Sequence, residues 1–432
     1  MACFLVWDYI EIDRQKFQRT GEGMKKVFLI QPQVEHKRIV LGYEKLTTAL
    51  KCAGYAIEEI SEAEAMETRQ YDGAKIYVGD RTKSAYIQDL EERGLLLYHA
   101  FEPKIDEAFY IATLTGQLYI ISGGGATGAL YGCLELAEIL ERDGMLPREI
   151  YFGDAPALKL RGPAIGLQLT KIEPPRKTYE YPITPARFPW FYDKALWIDF
   201  LEMLLRERCN VLYVWSGHPF SSLVRVPDYP EAVEVTDEEM ALNQETFNWL
   251  TSECDRRGIW LVMKFYNIHI PVPFAEKHGL DLLQRSIDPL CADYTKKSII
   301  EFIKSFPHIG LMVCLGEALR GTENKTRLFL DIILPAVNQG IKEANLEEVP
   351  PLILRGHDCD AETIMKTAIT QYSNLYTMWK YNGEGLTTFL PTGKWQVKHQ
   401  EMSSYGQTHI MNIHILADLE PFRYGAPSGS IM

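Results

Sequence analysis

Seven short apolar runs, each closed by polar residues and separated from the next by a helix-like stretch, dominate the chain from residue 160 onward. They are LRGPAIGLQL (160–169), NVLYVWS (210–216), IWLVMKFYN (259–267), IGLMVCLGEA (309–318), PLILRGHD (351–358), NLYTMWKYNGEG (374–385) and HIMNIHILADLE (409–420). Between them lie segments such as KALWIDFLEMLLRERC, QETFNWLTSECDRRG, KKSIIEFIKSF and FLDIILPAVNQGIKEA, whose apolar residues recur at three and four with charges opposite. Near-continuous apolar strands alternating with amphipathic helices predict a parallel sheet covered on its faces. The expected fold is α/β, a TIM (β/α)8-type barrel. A standard barrel needs eight strands and only seven are countable before PFRYGAPSGSIM, so the barrel reads as truncated after strand seven or irregularly closed.

Ahead of the barrel, from Lys26, the rhythm differs: strand VFLIQ, helix IVLGYEKLTTALKCAGY, strand KIYVG, helix SAYIQDLEERG, strands EAFYIATL and QLYIISG, and helix GALYGCLELAEILER. This predicts a small α+β domain over 26–155 and a barrel over 156–432. The turn-forming Gly153-Asp154 and Pro156 lie in the bridge PREIYFGDAPALK. The length of 432 residues suits a domain of ~150 residues followed by a barrel of ~250. Residues 1–25 read as an extension before the first convincing strand. Their start, MACFLVWDYIEIDRQKF, has too short an apolar run for a signal peptide, and no segment approaches the ~20 apolar residues of a membrane span. The expected location is cytoplasmic, or periplasmic or secreted if the true start differs.

Lys and Arg number 45 against 58 Asp and Glu, a formal charge of −13 with no basic cluster, which opposes a nucleic-acid surface. Eight cysteines are scattered without a C-x-x-C pair, and no H-x-x-H or H-E-x-x-H spacing occurs, so neither a metal nor any other cofactor is expected. Gly123, Gly125 and Gly128 in SGGGATGALYG do fit G-x-G-x-x-G between a strand and a helix, the local context of a dinucleotide fingerprint. Against it, no acid-ended strand follows ~20 residues on, and a tight strand-to-helix turn has equal use for these glycines.

Active sites of (β/α) barrels lie at the C-terminal ends of the strands, so the polar residues there are a census of the pocket. Carboxylates appear on four neighbouring strands: Glu317, Asp358, Glu384 and Glu420. Cleaving a glycosidic bond requires one protonated carboxyl and one ionised carboxylate on opposite sides of that bond, which Glu317 facing Asp358 and Glu384 would supply. Asp360 reads instead as the cap of a helix beginning at Ala361. Arg161, Lys264, Arg320, Arg355, Lys380 and Arg423 are placed near the same rim, where they would hold an anionic substrate group or neutralise the carboxylates. Trp215, Tyr266, Trp379 and Tyr424 would stack on sugar rings or pack the rim, and His218, His269 and His357 would bond hydroxyls.

YVGD at 77–80, ISGGGATGALYGCLELAEIL, and Asp154, Pro156, Leu158, Arg161 and Gly162 spaced as D-x-P-x-L-x-x-R-G together resemble the accessory domain that precedes hexosaminidase and α-glucuronidase barrels. The barrel is similar to the glycoside hydrolase family 67 α-glucuronidases. That resemblance implies hydrolysis of uronic-acid-containing oligosaccharides derived from polysaccharides, with Glu317 as general acid, Asp358 and Glu384 activating water, and inversion at the anomeric carbon. Where hexosaminidase barrels carry an Asp-Glu dyad, this chain has Gly316-Glu317, which speaks against N-acetylhexosaminidase chemistry. The alternative is a carbohydrate-binding or scaffold protein whose incomplete barrel lacks catalysis. Either way the expected partner is an oligosaccharide or polysaccharide, with neither nucleic acid nor membrane involved.

Overall fold

The computed structural model describes residues 25–31, 36–66, 71–98, 105–115, 117–167, 169, 172–176, 181–266, 269–315, 318–355, 359–380, 397 and 409–412. The fold divides into two units, residues 1–157 and 158–432.

The first unit contains β1 (Lys26–Gln31), α1 (Lys37–Cys52), β2 (Ala56–Ser61), α2 (Glu62–Met66), β3 (Ala74–Asp80), α3 (Ala85–Glu92), β4 (Phe109–Leu114), β5 (Leu118–Gly123), α4 (Ala126–Asp143) and β6 (Tyr151–Asp154). Its sheet has the order β2-β1-β3-β5-β4-β6, parallel from β2 to β5, with β4 antiparallel to β5 and β6. Two of these strands depart from the sequence reading. β2 falls in a stretch the sequence reading leaves unassigned, because its edge position leaves Glu58, Glu59 and Ser61 exposed and no apolar run marks it. β6 was taken as part of a bridge, because only four residues pair along β4.

The glycine-rich junction between β5 and α4 is closed by its own neighbours. The Gly124 amide donates to the Ala108 carbonyl at 2.6 Å, and the Gly125 and Gly128 amides donate to the Asp106 carbonyl at 2.8 and 3.0 Å. A Cβ at Gly125 would lie 1.7 Å from Asp106 Oδ1, and one at Gly128 would lie 2.0 Å from the Ala108 carbonyl oxygen. The glycines thus serve the close approach of helix and turn, and the amides a dinucleotide's phosphates would need already have acceptors.

The second unit contains β7 (Ala164–Gly166), α5 (Lys194–Arg206), β8 (Val211–Trp215), α6 (Phe220–Leu223), α7 (Asp237–Arg256), β9 (Trp260–Tyr266), α8 (Val272–His278), α9 (Pro289–Ser305), β10 (Ile309–Cys314), α10 (Thr322–Arg327), α11 (Leu334–Ala344), β11 (Leu352–Arg355), α12 (Ala361–Ala368), β12 (Leu375–Lys380) and β13 (His409–Asn412). The seven strands form one all-parallel sheet in unbroken chain order from β7 to β13. Each falls within one of the apolar runs read from the sequence. Among the described residues no pairing joins β13 back to β7, so the sheet is consistent with the barrel read as truncated after strand seven, and no closed barrel is seen.

Alternation along the strands sorts their side chains onto two faces. Leu212, Val214, Leu261, Met263, Phe265, Leu311, Val313, Leu352 and Leu354 face the helices and build the main core with Phe247, Phe302 and Phe329. The other face carries Val211, Tyr213, Val262, Met312, Ile353, Tyr376 and Met378 in a second apolar cluster. Helix starts are set locally: Thr236 and Glu239 form a capping box at α7, and the Asp288 carboxylate caps α9.

Candidate active site

Continuing the alternation of the second face to the C-terminal ends of the strands brings Trp215, Lys264, Cys314 and Arg355 onto that face, above Tyr213, Val262, Met312 and Ile353. Trp215 and Lys264 are register partners, and the Lys264 Nζ sits 3.5 Å from the centre of the Trp215 ring. Lys264 is 8% exposed and Arg355 3%, with an Arg355 guanidinium nitrogen donating to Cys314 Sγ at 3.7 Å. Two buried cations at the ends of β9 and β11, one on each side of β10, create a positive potential that favours carboxylates nearby, whether of the protein or of a ligand.

A second group surrounds the ends of β8 and β9. Past β8, the His218 ring stacks on Tyr294, and His218 Nε2 lies 3.0 Å from Tyr294 Oη. Past β9, His269 is 1% exposed, and among the described residues neither of its ring nitrogens has a hydrogen-bond partner. Leaving a buried donor or acceptor unsatisfied costs roughly 1–3 kcal/mol. Between β7 and α5, Arg176 makes a buried ion pair with Glu234, and its guanidinium lies 5.3 Å from the Tyr181 ring centre. Glu234 also accepts from Ser221 Oγ at 2.8 Å and from the Val272 amide at 3.1 Å, so its carboxylate is fixed from three sides.

Both imidazoles are held neutral. Burial, then His269 and Arg176, drive His218 down to about 3. Burial and then Arg176 drive His269 down to about 4. At neutral pH each ring carries one N–H donor and one bare nitrogen acceptor, the complement of hydroxyl groups.

Of the residues nominated from sequence, the structure places Trp215, Lys264 and Arg355 together at the strand ends. Arg161 is corrected: it precedes β7, and its Nε and Nη2 donate to the Arg208 carbonyl at 3.0 and 2.8 Å, while its amide donates to the Asn210 side chain. It therefore fastens the turn between α5 and β8 at the N-terminal edge of the sheet, away from the strand ends where sites form. Asp360 caps α12, accepting from the Thr363 amide at 3.1 Å. Glu317, His357, Asp358, Glu384, Glu420, Arg423 and Tyr424 lie outside the described residues, as do the side chains of Tyr266, Trp379 and Lys380. Sequence reasoning missed Arg176, Glu234 and Tyr294. Arg176 and Glu234 come from loops and Tyr294 from a helix, and none stands at the end of an apolar run.

Polar groups gathered at the C-terminal edge of a sequentially ordered parallel sheet are placed as in the active sites of (β/α) barrels, and solved structures similar to this chain are of glycoside hydrolases. A family GH138 enzyme described as targeting pectin rhamnogalacturonan II matches with 38% sequence identity and a TM-score of 0.78, over 91% of this chain and 54% of the other. The chain thus spans about half the length of that structure. A GH20 β-N-acetylhexosaminidase from Streptomyces coelicolor A3(2) matches at 11% identity and TM-score 0.50, over 90% of this chain and 70% of the other. The structure of CpGH84D matches at 12% identity and TM-score 0.51, over 82% and 52%. These two share the fold alone. No protein-family model matches the chain, and no curated protein matches it either. In sequence and fold the chain is similar to glycoside hydrolases; the likeness at 38% identity is to a family GH138 enzyme, and family 67 in particular is not supported.

Proposed function

We propose that this chain is the catalytic part of a glycoside hydrolase that cleaves uronic-acid-containing oligosaccharides of pectic origin, on a seven-stranded (β/α) barrel left open at one side. The observation that carries the reading is the 38% identity across 91% of the chain to an enzyme described as targeting pectin rhamnogalacturonan II. Supporting it, Lys264 and Arg355 are buried cations at the strand ends, where an acidic sugar would need them. In this reading Glu317 is the general acid, and Asp358 with Glu384 activates the attacking water. Inversion calls for carboxyl groups roughly 6.5–9.5 Å apart.

The test is release of reducing ends from rhamnogalacturonan II oligosaccharides. Wild type is expected to cleave, and Glu317→Gln is expected to lose activity by about 10²–10⁴-fold. Binding without turnover in both proteins would overturn the catalytic reading in favour of a carbohydrate-binding protein.

A further inference from the structure

Among the described residues of the second unit, His269 is a polar ring inside the protein with both nitrogens unpartnered. Its neighbours define what it can receive. Arg176 places a fixed positive charge close enough to act on the ring, which opposes a bound metal cation as well as protonation. A carboxylate would suit the ring's N–H but would face its bare nitrogen with like charge. A hydroxyl both donates and accepts, so it suits either nitrogen whichever tautomer is present. The Arg176–Glu234 pair is itself held by Ser221 and by the Val272 amide, three residues past His269, so the chain that follows the imidazole is tied to the pair.

We propose that His269 is a sugar-recognition residue: a neutral imidazole at the end of β9 that hydrogen-bonds uncharged hydroxyls of the oligosaccharide, with the Arg176–Glu234 pair as its positioning support. The carboxylate of an acidic sugar is then left to the Lys264 and Arg355 side of the site. This assignment rests on the reading of the strand ends as a carbohydrate site, and it adds the hydroxyl-binding element.

The experiment compares wild type, His269→Leu and His269→Gln by calorimetric titration with rhamnogalacturonan II oligosaccharides, with thermal unfolding and the folded fraction measured on each protein. His269→Leu removes both polar atoms at similar volume and is expected to weaken binding about 10- to 100-fold. Its Tm should be unchanged or raised, because an unsatisfied buried ring is gone. His269→Gln keeps a donor and an acceptor and should recover much of the affinity. Wild-type affinity in His269→Leu, or a loss that only follows its folded fraction, overturns the proposal. Binding by wild type without cleavage defeats the proposed hydrolase activity but leaves His269 to be judged by these affinities. Cleavage that is indifferent to His269 does the reverse. Absence of binding by wild type overturns both.

Discussion

The glycine-rich junction after β5 and the strand ends of β8 and β9 occupy the same topological position, the C-terminal edge of a parallel strand running toward a helix, yet they treat their polar groups in opposite ways. At the first, the backbone amides of Gly124, Gly125 and Gly128 are spent on carbonyls of residues 106 and 108, and there is no room for even a methyl group. At the second, polar side chains are buried at a cost: two imidazoles are held neutral and one has no partner among the described residues. A strand end can be finished as packing or kept available for chemistry. What separates the two is whether the buried donors and acceptors already have partners.

The largest effect expected from breaking this contrast lies at Glu234. Glu234→Leu strands the buried Arg176 charge and should cost about 3–5 kcal/mol in urea unfolding, whereas Arg176→Met combined with Glu234→Leu should recover most of that loss. Next comes the pH dependence of stability. Unfolded imidazoles titrate near 6.5, while folded His218 and His269 titrate at about 3 and about 4. Their contribution is therefore fully present above pH 6.5 and is lost as pH falls toward 4, because the unfolded chain takes up protons that the folded chain refuses. Between pH 7 and 5 the pair should remove about 4 kcal/mol, and a double variant, His218→Phe with His269→Leu, should flatten that part of the profile. A smaller cost tests the packed region. Gly128→Ala drives a methyl into the Ala108 carbonyl and should cost about 2 kcal/mol by the same measurement. Smallest is Asp360→Ala, expected at about 1 kcal/mol, since the strand-end carboxylate it removes is engaged as a helix cap.

The sheet of the second unit was legible because each strand is an apolar run of four to seven residues, apart from the three-residue β7, and amphipathic helices separate the strands from β7 to β12. β2 and β6 escaped because edge strands with one partner and mostly exposed side chains need no apolar pattern. Arg161 was misplaced for a related reason: the run beginning at Leu160 was read as strand throughout, whereas pairing starts at Ala164, so an N-terminal anchor passed for a rim cation. Trp215, Lys264, His218 and His269 could be found by following apolar runs to their polar ends. Arg176 and Glu234 could not, because they arrive from long connections whose course depends on tertiary packing.

The chain order of the second sheet also bears on how the protein comes to be folded. Every strand from β8 to β13 pairs with the strand made immediately before it, so each step closes only the loop of one intervening connection. The first sheet has no such run: β3 must settle beside β1 on the side away from β2, and β6 reaches β4 only after α4 has been made. Synthesis from the N-terminus therefore presents the second unit with an edge ready for each arriving strand, while the first must wait for residue 154 before its last pairing forms. The refolding of the first unit should accordingly be limited by a search among non-sequential partners, and that of the second by stepwise growth along a single edge.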